Sequence, residues 1–175
     1  MISSPPTDER DAALGRYMDA WSRLETSINY STQEILEIDA DAGFVIWAAI
    51  QTRQSIDVLD AAAKLKFNKD GRKRVALICE QLIRRNMRRN HIVHGFWRFK
   101  VKIGVMGGEP EIGEWRRVYD HVDPDKEASA DGSSFTIAEL DKTTGYVEEM
   151  IDALWSLEQD IPSLLIRPRK AESAR

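Results

Sequence analysis

One cysteine in 175 residues has no partner within the chain for a disulfide and cannot build a cysteine zinc site. Three histidines leave little room for a histidine-rich metal centre. No apolar run approaches the roughly 18–20 residues that a membrane-spanning helix needs, the longest being short stretches such as residues 43–50. The first ten residues are polar, include Pro5 and Pro6, and lack the apolar core of a signal peptide. With only 6 prolines and 10 glycines, few positions interrupt long helices, and no internal repeat is evident. These absences lead us to expect one cytoplasmic domain over residues 7–166, with a flexible leader at 1–6 and a frayed tail at 167–175. We expect no membrane span, no metal and no cofactor.

Charge is present in quantity and is unevenly placed. The formal net charge of −4 speaks at first against a nucleic-acid partner. Residues 64–102, however, hold 13 Lys and Arg against 2 Asp and Glu, and the rest of the chain holds 12 against 27. The small total is therefore a cancellation between two opposed blocks, one of which suits a phosphate backbone.

Hydrophobic spacing predicts an all-α fold of four helices. Leu14, Tyr17, Met18, Trp21, Leu24 and Ile28 recur at steps of three and four, which predicts a helix from Thr7 to about Ile38 with Thr7 as its N-cap. A second helix is predicted from the Asp39–Asp41 cluster to about Phe67, with Phe44, Trp47, Ile50, Val58, Leu59, Ala62 and Leu65 on its inner face; residues 68–71 are its stop signal. A third runs from about Arg72 to His94 on the stripe Val75, Ile78, Cys79 and Leu82, and Gly95 terminates it. The last opens with Thr136 and Glu139 in capping-box spacing and reaches about Leu165, Gly145 being its weak point and Pro162 a place to bend or end. Between the third and last helices, alternating residues predict a β-hairpin over about 97–119, with strands at 97–105 and 114–119 around a turn at 107–110. Residues 123–134 read as a flexible loop.

The third helix ends in Arg84-Arg85-Asn86-Met87-Arg88-Arg89-Asn90-His91-Ile92-Val93-His94. Four guanidiniums, two carboxamides and two imidazoles fall within eleven positions. Here the chain resembles the HEPN superfamily of compact helical bundles, whose ribonuclease members carry an Arg, a polar residue and a His at the end of an inner helix. Arg89-Asn90-x-x-x-His94 fits that motif, and Arg85-Asn86 with His91 satisfies a looser form. The strict spacing and the following Gly95 favour Arg89, Asn90 and His94. The resemblance implies a four-helix HEPN-like bundle, a homodimer with a composite site, RNA as substrate, and a toxin or defence role that a neutralising antitoxin protein would hold in check.

The chemistry suits those residues. Attack of a 2′-hydroxyl on the neighbouring phosphorus needs a base for the proton and positive charge for the phosphorane oxygens. An imidazole titrates near neutrality and serves the first need; a guanidinium, always charged and able to grip phosphate through two hydrogen bonds, serves the second. His94 is thus expected as acid or base, Arg89 on the phosphate, and Asn90 as the group that orients either. On an ideal helix Asn90 and His94 share a face, whereas Arg89 lies about 140° round the axis from His94. The line Leu82, Asn86, Asn90, His94 is expected to continue the buried stripe and turn His94 inward or toward a partner. Arg84, Arg85, Arg88, His91, Arg98 and Lys100 are expected to contact RNA. Two other readings stay open: a non-catalytic HEPN-like module that binds RNA, a nucleotide or a protein, and a helical interaction module whose arginines meet an acidic partner.

Other conspicuous residues have plainer uses. Trp21, Trp47 and Trp155 sit at helical steps and are expected in the core, as is Cys79. Trp97 and Phe99 alternate with Arg98 and Lys100 and are expected to pack rather than to stack on bases, and His121 is expected to be structural. Glu148 and Glu149 are adjacent on a helix and point apart, so they and Glu25 make no carboxylate pair.

Overall fold

The computed structural model describes residues 7–102, 111–118 and 134–166. In chain order these form α1 (Thr7–Leu36), α2 (Ala40–Ala48), α3 (Thr52–Lys66), α4 (Lys69–His94), β1 (Phe96–Lys102), β2 (Glu111–Val118), β3 (Ser134–Thr136) and α5 (Ile137–Leu164). The class is all-α, with five helices among the described residues rather than four, and a small sheet. The expected leader at 1–6, the turn at 107–110, His121, the loop as far as residue 133 and the tail at 167–175 lie outside the described residues.

Local chemistry accounts for the helix ends. α1 stops because Glu37 turns into the left-handed region at φ 56°, letting the Ile38 N–H bond the Gln33 carbonyl at 3.0 Å and the Glu37 N–H bond that of Glu34 at 3.4 Å. Asp39 then caps α2, its Oδ1 accepting from the Asp41 N–H at 2.9 Å. The single helix expected over 39–67 is broken after Ala48, where the Gln54 carboxamide folds back to accept the Gln51 N–H at 2.8 Å and starts α3 afresh. The break changes which residues face inward. Phe44 and Leu65 are exposed and Trp47 is half-buried, while Ser55, Ile56 and Ala63 join Leu59 and Ala62 inside.

Asn68, expected as a stop signal, also starts the next helix: its Oδ1 accepts from the Asp70 and Gly71 N–H groups at 3.1 and 3.0 Å. α5 begins with a reciprocal box. The Glu139 N–H bonds Thr136 Oγ1 at 3.1 Å, and the Thr136 N–H bonds Glu139 Oε2 at 2.9 Å, as the spacing predicts. The helix continues past Pro162 for only two residues.

The chain divides into two compact units whose boundary falls inside α1, α4 and α5. Unit 1 takes α1 up to Arg23, α4 from Arg84, the sheet, and α5 up to Glu149. Its core contains Ala13, Tyr17, Ala20, Trp21, Ile92, Phe135, Leu140 and Val147, with Tyr17 and Trp21 stacked at 6.3 Å between ring centres. The sheet order is β1-β2-β3, antiparallel throughout, with Phe96 opposite Val118, Phe99 opposite Trp115 and a register shift between Lys100 and Lys102. β1 and β2 cover the described parts of the two predicted strands, residues 103–105 and 119 lying outside the described residues; β3, which pairs Phe135 with Arg117 in register, is an addition to the predicted hairpin.

Unit 2 takes the remainder of those helices with α2 and α3. Leu24, Ile28, Ile35, Ile56, Leu59, Phe67, Val75, Ile78, Cys79, Leu82, Leu154 and Leu157 form its core. Phe67 and Leu165 make an isolated antiparallel bridge, flanked by bonds of 2.8 Å from the Asn68 N–H to Leu164 and from the Ile166 N–H to Lys66. Trp155, expected inside, is 64% exposed. It sits one position along from the buried Leu154, and a step of about 100° carries it off the inner face.

Candidate nucleic-acid interface

The inward face of α4 is a row at alternating steps of three and four: Val75, Ile78, Leu82, Arg85, Arg89 and Ile92. The four apolar members are buried, and the two arginines between Leu82 and Ile92 are half-buried. The sequence pattern had pointed elsewhere. Leu82, Asn86, Asn90 and His94 form an i+4 line, and such a line turns about 40° per step, so it has rotated about 120° by its fourth member. Asn86 is accordingly half-buried, and Asn90 and His94 are exposed. His94 therefore does not point inward.

Two of the arginine heads each lie over one aromatic ring. Arg85 lies over the Tyr146 ring at 4.6 Å and Arg88 over the Phe135 ring at 4.8 Å. Buried Tyr17 feels Arg89, Arg88 and Arg85 electrostatically; burial raises its phenol well above the usual range, and the three guanidiniums pull it part of the way back. Tyr17 thus stays neutral and offers the arginines no compensating charge. Among the described residues, none of Arg85, Arg88 and Arg89 pairs with a carboxylate.

Within the motif, Arg89 Nη1 donates to Asn90 Oδ1 at 3.2 Å. His94 makes no hydrogen bond to either of them. Arg89 and Asn90 are brought together, and His94 stands apart on the exposed side of the last turn, with His91 half-buried nearby in sequence. Arg84 and Arg88 are exposed. Arg98 and Lys100 fall on β1 opposite Arg116 and Glu114, and their side chains lie outside the described ones, as do those of Trp97 and Phe99.

Arg117, which no sequence motif singles out, is central to this end of the helix. It is 7% exposed, its Nε donates to the Ile92 carbonyl, and its Nη2 donates to the Val93 carbonyl at 3.0 Å. Burial lowers its pKa. A helix C-terminus is the negative end of the dipole and would repel phosphate. Arg117 covers two of the last carbonyls with positive charge and removes part of that repulsion. The signal available in the sequence was the Arg116-Arg117 pair, because strand alternation sends one of two neighbours to the covered face.

Unit 2 has a separate cavity of about 380 Å³ between α1 and α2, lined by Asn29, Tyr30, Gln33, Phe44 and Trp47 among others. No Asp, Glu, Lys, Arg or His side chain lines it. Cys79 is buried, its Sγ is 3.8 Å from the Ile56 carbonyl, and burial pushes its thiol up to about 12, which makes it an inert core residue. Glu148 pairs with Arg23 and Glu25 accepts from the Thr52 hydroxyl, so both have structural partners. No three His, Cys, Asp or Glu side chains converge as metal ligands among the described residues, and no described helix is long and apolar enough to cross a membrane. No protein-family model, curated protein or solved structure matches the chain.

Proposed function

We propose that the protein is a HEPN-type, metal-independent endoribonuclease, a toxin or defence effector that cuts RNA at the C-terminal end of α4. The observation that carries this reading is an exposed imidazole, His94, on the same helix end as Arg85, Arg88 and Arg89, none of which pairs with a carboxylate among the described residues. His94 takes the 2′-hydroxyl proton as the oxygen attacks phosphorus, and Arg89 stabilises the charge that develops on the equatorial oxygens. The bond to the 5′-oxygen breaks, that oxygen takes a proton, and a 2′,3′-cyclic phosphate remains. An exposed His94 suits a composite site in which a second copy's His94 supplies the leaving-group proton. Arg84, Arg88 and His91 hold the flanking backbone, and a neutralising protein would cover the same surface.

A second reading is favoured by one contact. Arg89 is half-buried and bonded to Asn90 rather than to His94, which suits holding RNA without cutting it. Labelled RNA incubated with the protein in EDTA decides between them. The nuclease reading expects cyclic-phosphate ends that vanish in His94→Ala and Arg89→Ala. Salt-sensitive binding with no cleavage selects the second reading, and no binding at low salt removes both.

A further inference from the structure

We propose that Arg85 and Arg89 form a binding site for a phosphate monoester on the inner face of α4 in unit 1, apart from the exposed edge that carries His94. Drawing a charged side chain from water is costly unless a partner compensates. Elsewhere the protein supplies one even at the surface: Arg16 bonds Asp141, Arg23 bonds Asp19 and Glu148, Arg53 bonds Asp57, and Arg74 bonds Asp160. Arg85 and Arg89 are the reverse case. Both are half-buried in a row of buried apolar residues and meet no carboxylate among the described residues; the Asn90 carboxamide takes one Arg89 Nη1 hydrogen bond but brings no charge, and each arginine has an Nε shut off from solvent with no acceptor. The Tyr146 ring over Arg85 attracts the guanidinium but carries no negative charge to neutralise it.

The unmet demand is for an anion, and the geometry narrows its kind. Residues four apart on a helix lie about 6 Å apart along the axis and on one face, so two planar forks can grip one tetrahedral oxyanion or its bridging neighbour. Two guanidiniums, with exposed Arg88 beside them and Tyr17 neutral, balance a dianion better than a single negative charge. A phosphate monoester carries about −1.5 to −2 near neutral pH, whereas an internal phosphodiester carries one charge. A free nucleotide and the phosphorylated end of an RNA share that chemistry. The inference shares Arg89 with the proposed nuclease but does not require His94 to cut RNA.

Calorimetric titration of the whole protein with adenosine monophosphate, adenosine and the dinucleoside monophosphate ApA tests this. The monophosphate should bind, adenosine should not, and ApA should bind at least about tenfold more weakly. Arg85→Gln should weaken the monophosphate about tenfold or more, while Lys73→Gln, an equal charge loss elsewhere on α4, should change it less than about threefold. Arg85→Lys, which keeps the charge and loses the fork, should fall between, and it serves as the readout if Arg85→Gln fails to fold. A 5′-phosphorylated RNA that binds more tightly than its 5′-hydroxyl twin assigns the site to RNA ends, and equal binding of the two with retained monophosphate affinity assigns it to free nucleotides. Adenosine binding as well as its monophosphate, ApA binding as tightly, or unchanged affinity in both Arg85 variants overturns the proposal. His94→Ala should keep monophosphate affinity even where it abolishes cleavage, so the two proposals fail separately.

Discussion

Gly71 and Gly145 show how one residue type answers to different surroundings. A Cβ at Gly71 would come within 2.9 Å of Phe67 Cβ, and Phe67 is fully buried. A Cβ at Gly145 would meet nothing within 4 Å. Gly145→Ala should therefore raise the unfolding free energy by about 0.5–1 kcal/mol through helix propensity. Gly71→Ala should lower it by about 1–3 kcal/mol through overpacking. Urea midpoints of the two variants, moving in opposite directions, are the check. Cys79 gives a pH prediction. Burial raises its folded pKa from 9.0 to about 12, so between these values the unfolded chain releases a proton that the folded one keeps. Stability is fully present below about pH 9 and is lost as pH rises toward 12, with buried Tyr17 acting in the same direction. Unfolding followed from pH 7 to 11 should show this alkaline loss, and Cys79→Ala should reduce it. Residue identity alone misleads where size is taken for burial: Trp155 and Phe44 carry large apolar rings at helical spacing and are exposed.

Among the elements, α1 is notable for its end. Glu37 holds the left-handed conformation that ends the helix, a position where side chains cost roughly 1–2 kcal/mol. Its ion pair with Lys66 is 3.7 Å long and largely exposed, so it repays little. Glu37→Gly should stabilise the protein by about 1 kcal/mol, read as a higher melting temperature. Element identity was legible in the sequence wherever the signal was local. Thr136 and Glu139 fixed the start of α5, and the stripe through Leu82 fixed α4. The break between α2 and α3 was not legible, because it depends on Gln54 turning back to the Gln51 amide and no glycine or proline marks it. For the candidate site, the spacing of Arg89, Asn90 and His94 located the helix end. Of the two orientations expected for His94, the inward one is not seen, because the i+4 line through Leu82, Asn86, Asn90 and His94 turns about 40° per step.

At the scale of the whole molecule, the basic block of residues 64–102 governs how any RNA complex should respond to salt. Affinity for a single strand falls with log salt at a slope of about −0.7 per neutralised phosphate. If Arg84, Arg85, Arg88 and Arg89 each meet one, the slope should be about −3, and each Arg→Gln change should flatten it by about 0.7. Filter binding across a salt series measures both. The opposed charge blocks were legible from composition; the division into two units was not, since three helices run unbroken through the boundary and no linker marks it. That division has an evolutionary consequence. Unit 1 draws on residues either side of unit 2's first stretch, and unit 2 on residues either side of unit 1's second. No single splice can lift either unit into another protein. The arginine row and the apolar core of unit 2 share α4, so they must be inherited as one piece, and a lineage that changes one does so against the fixed background of the other.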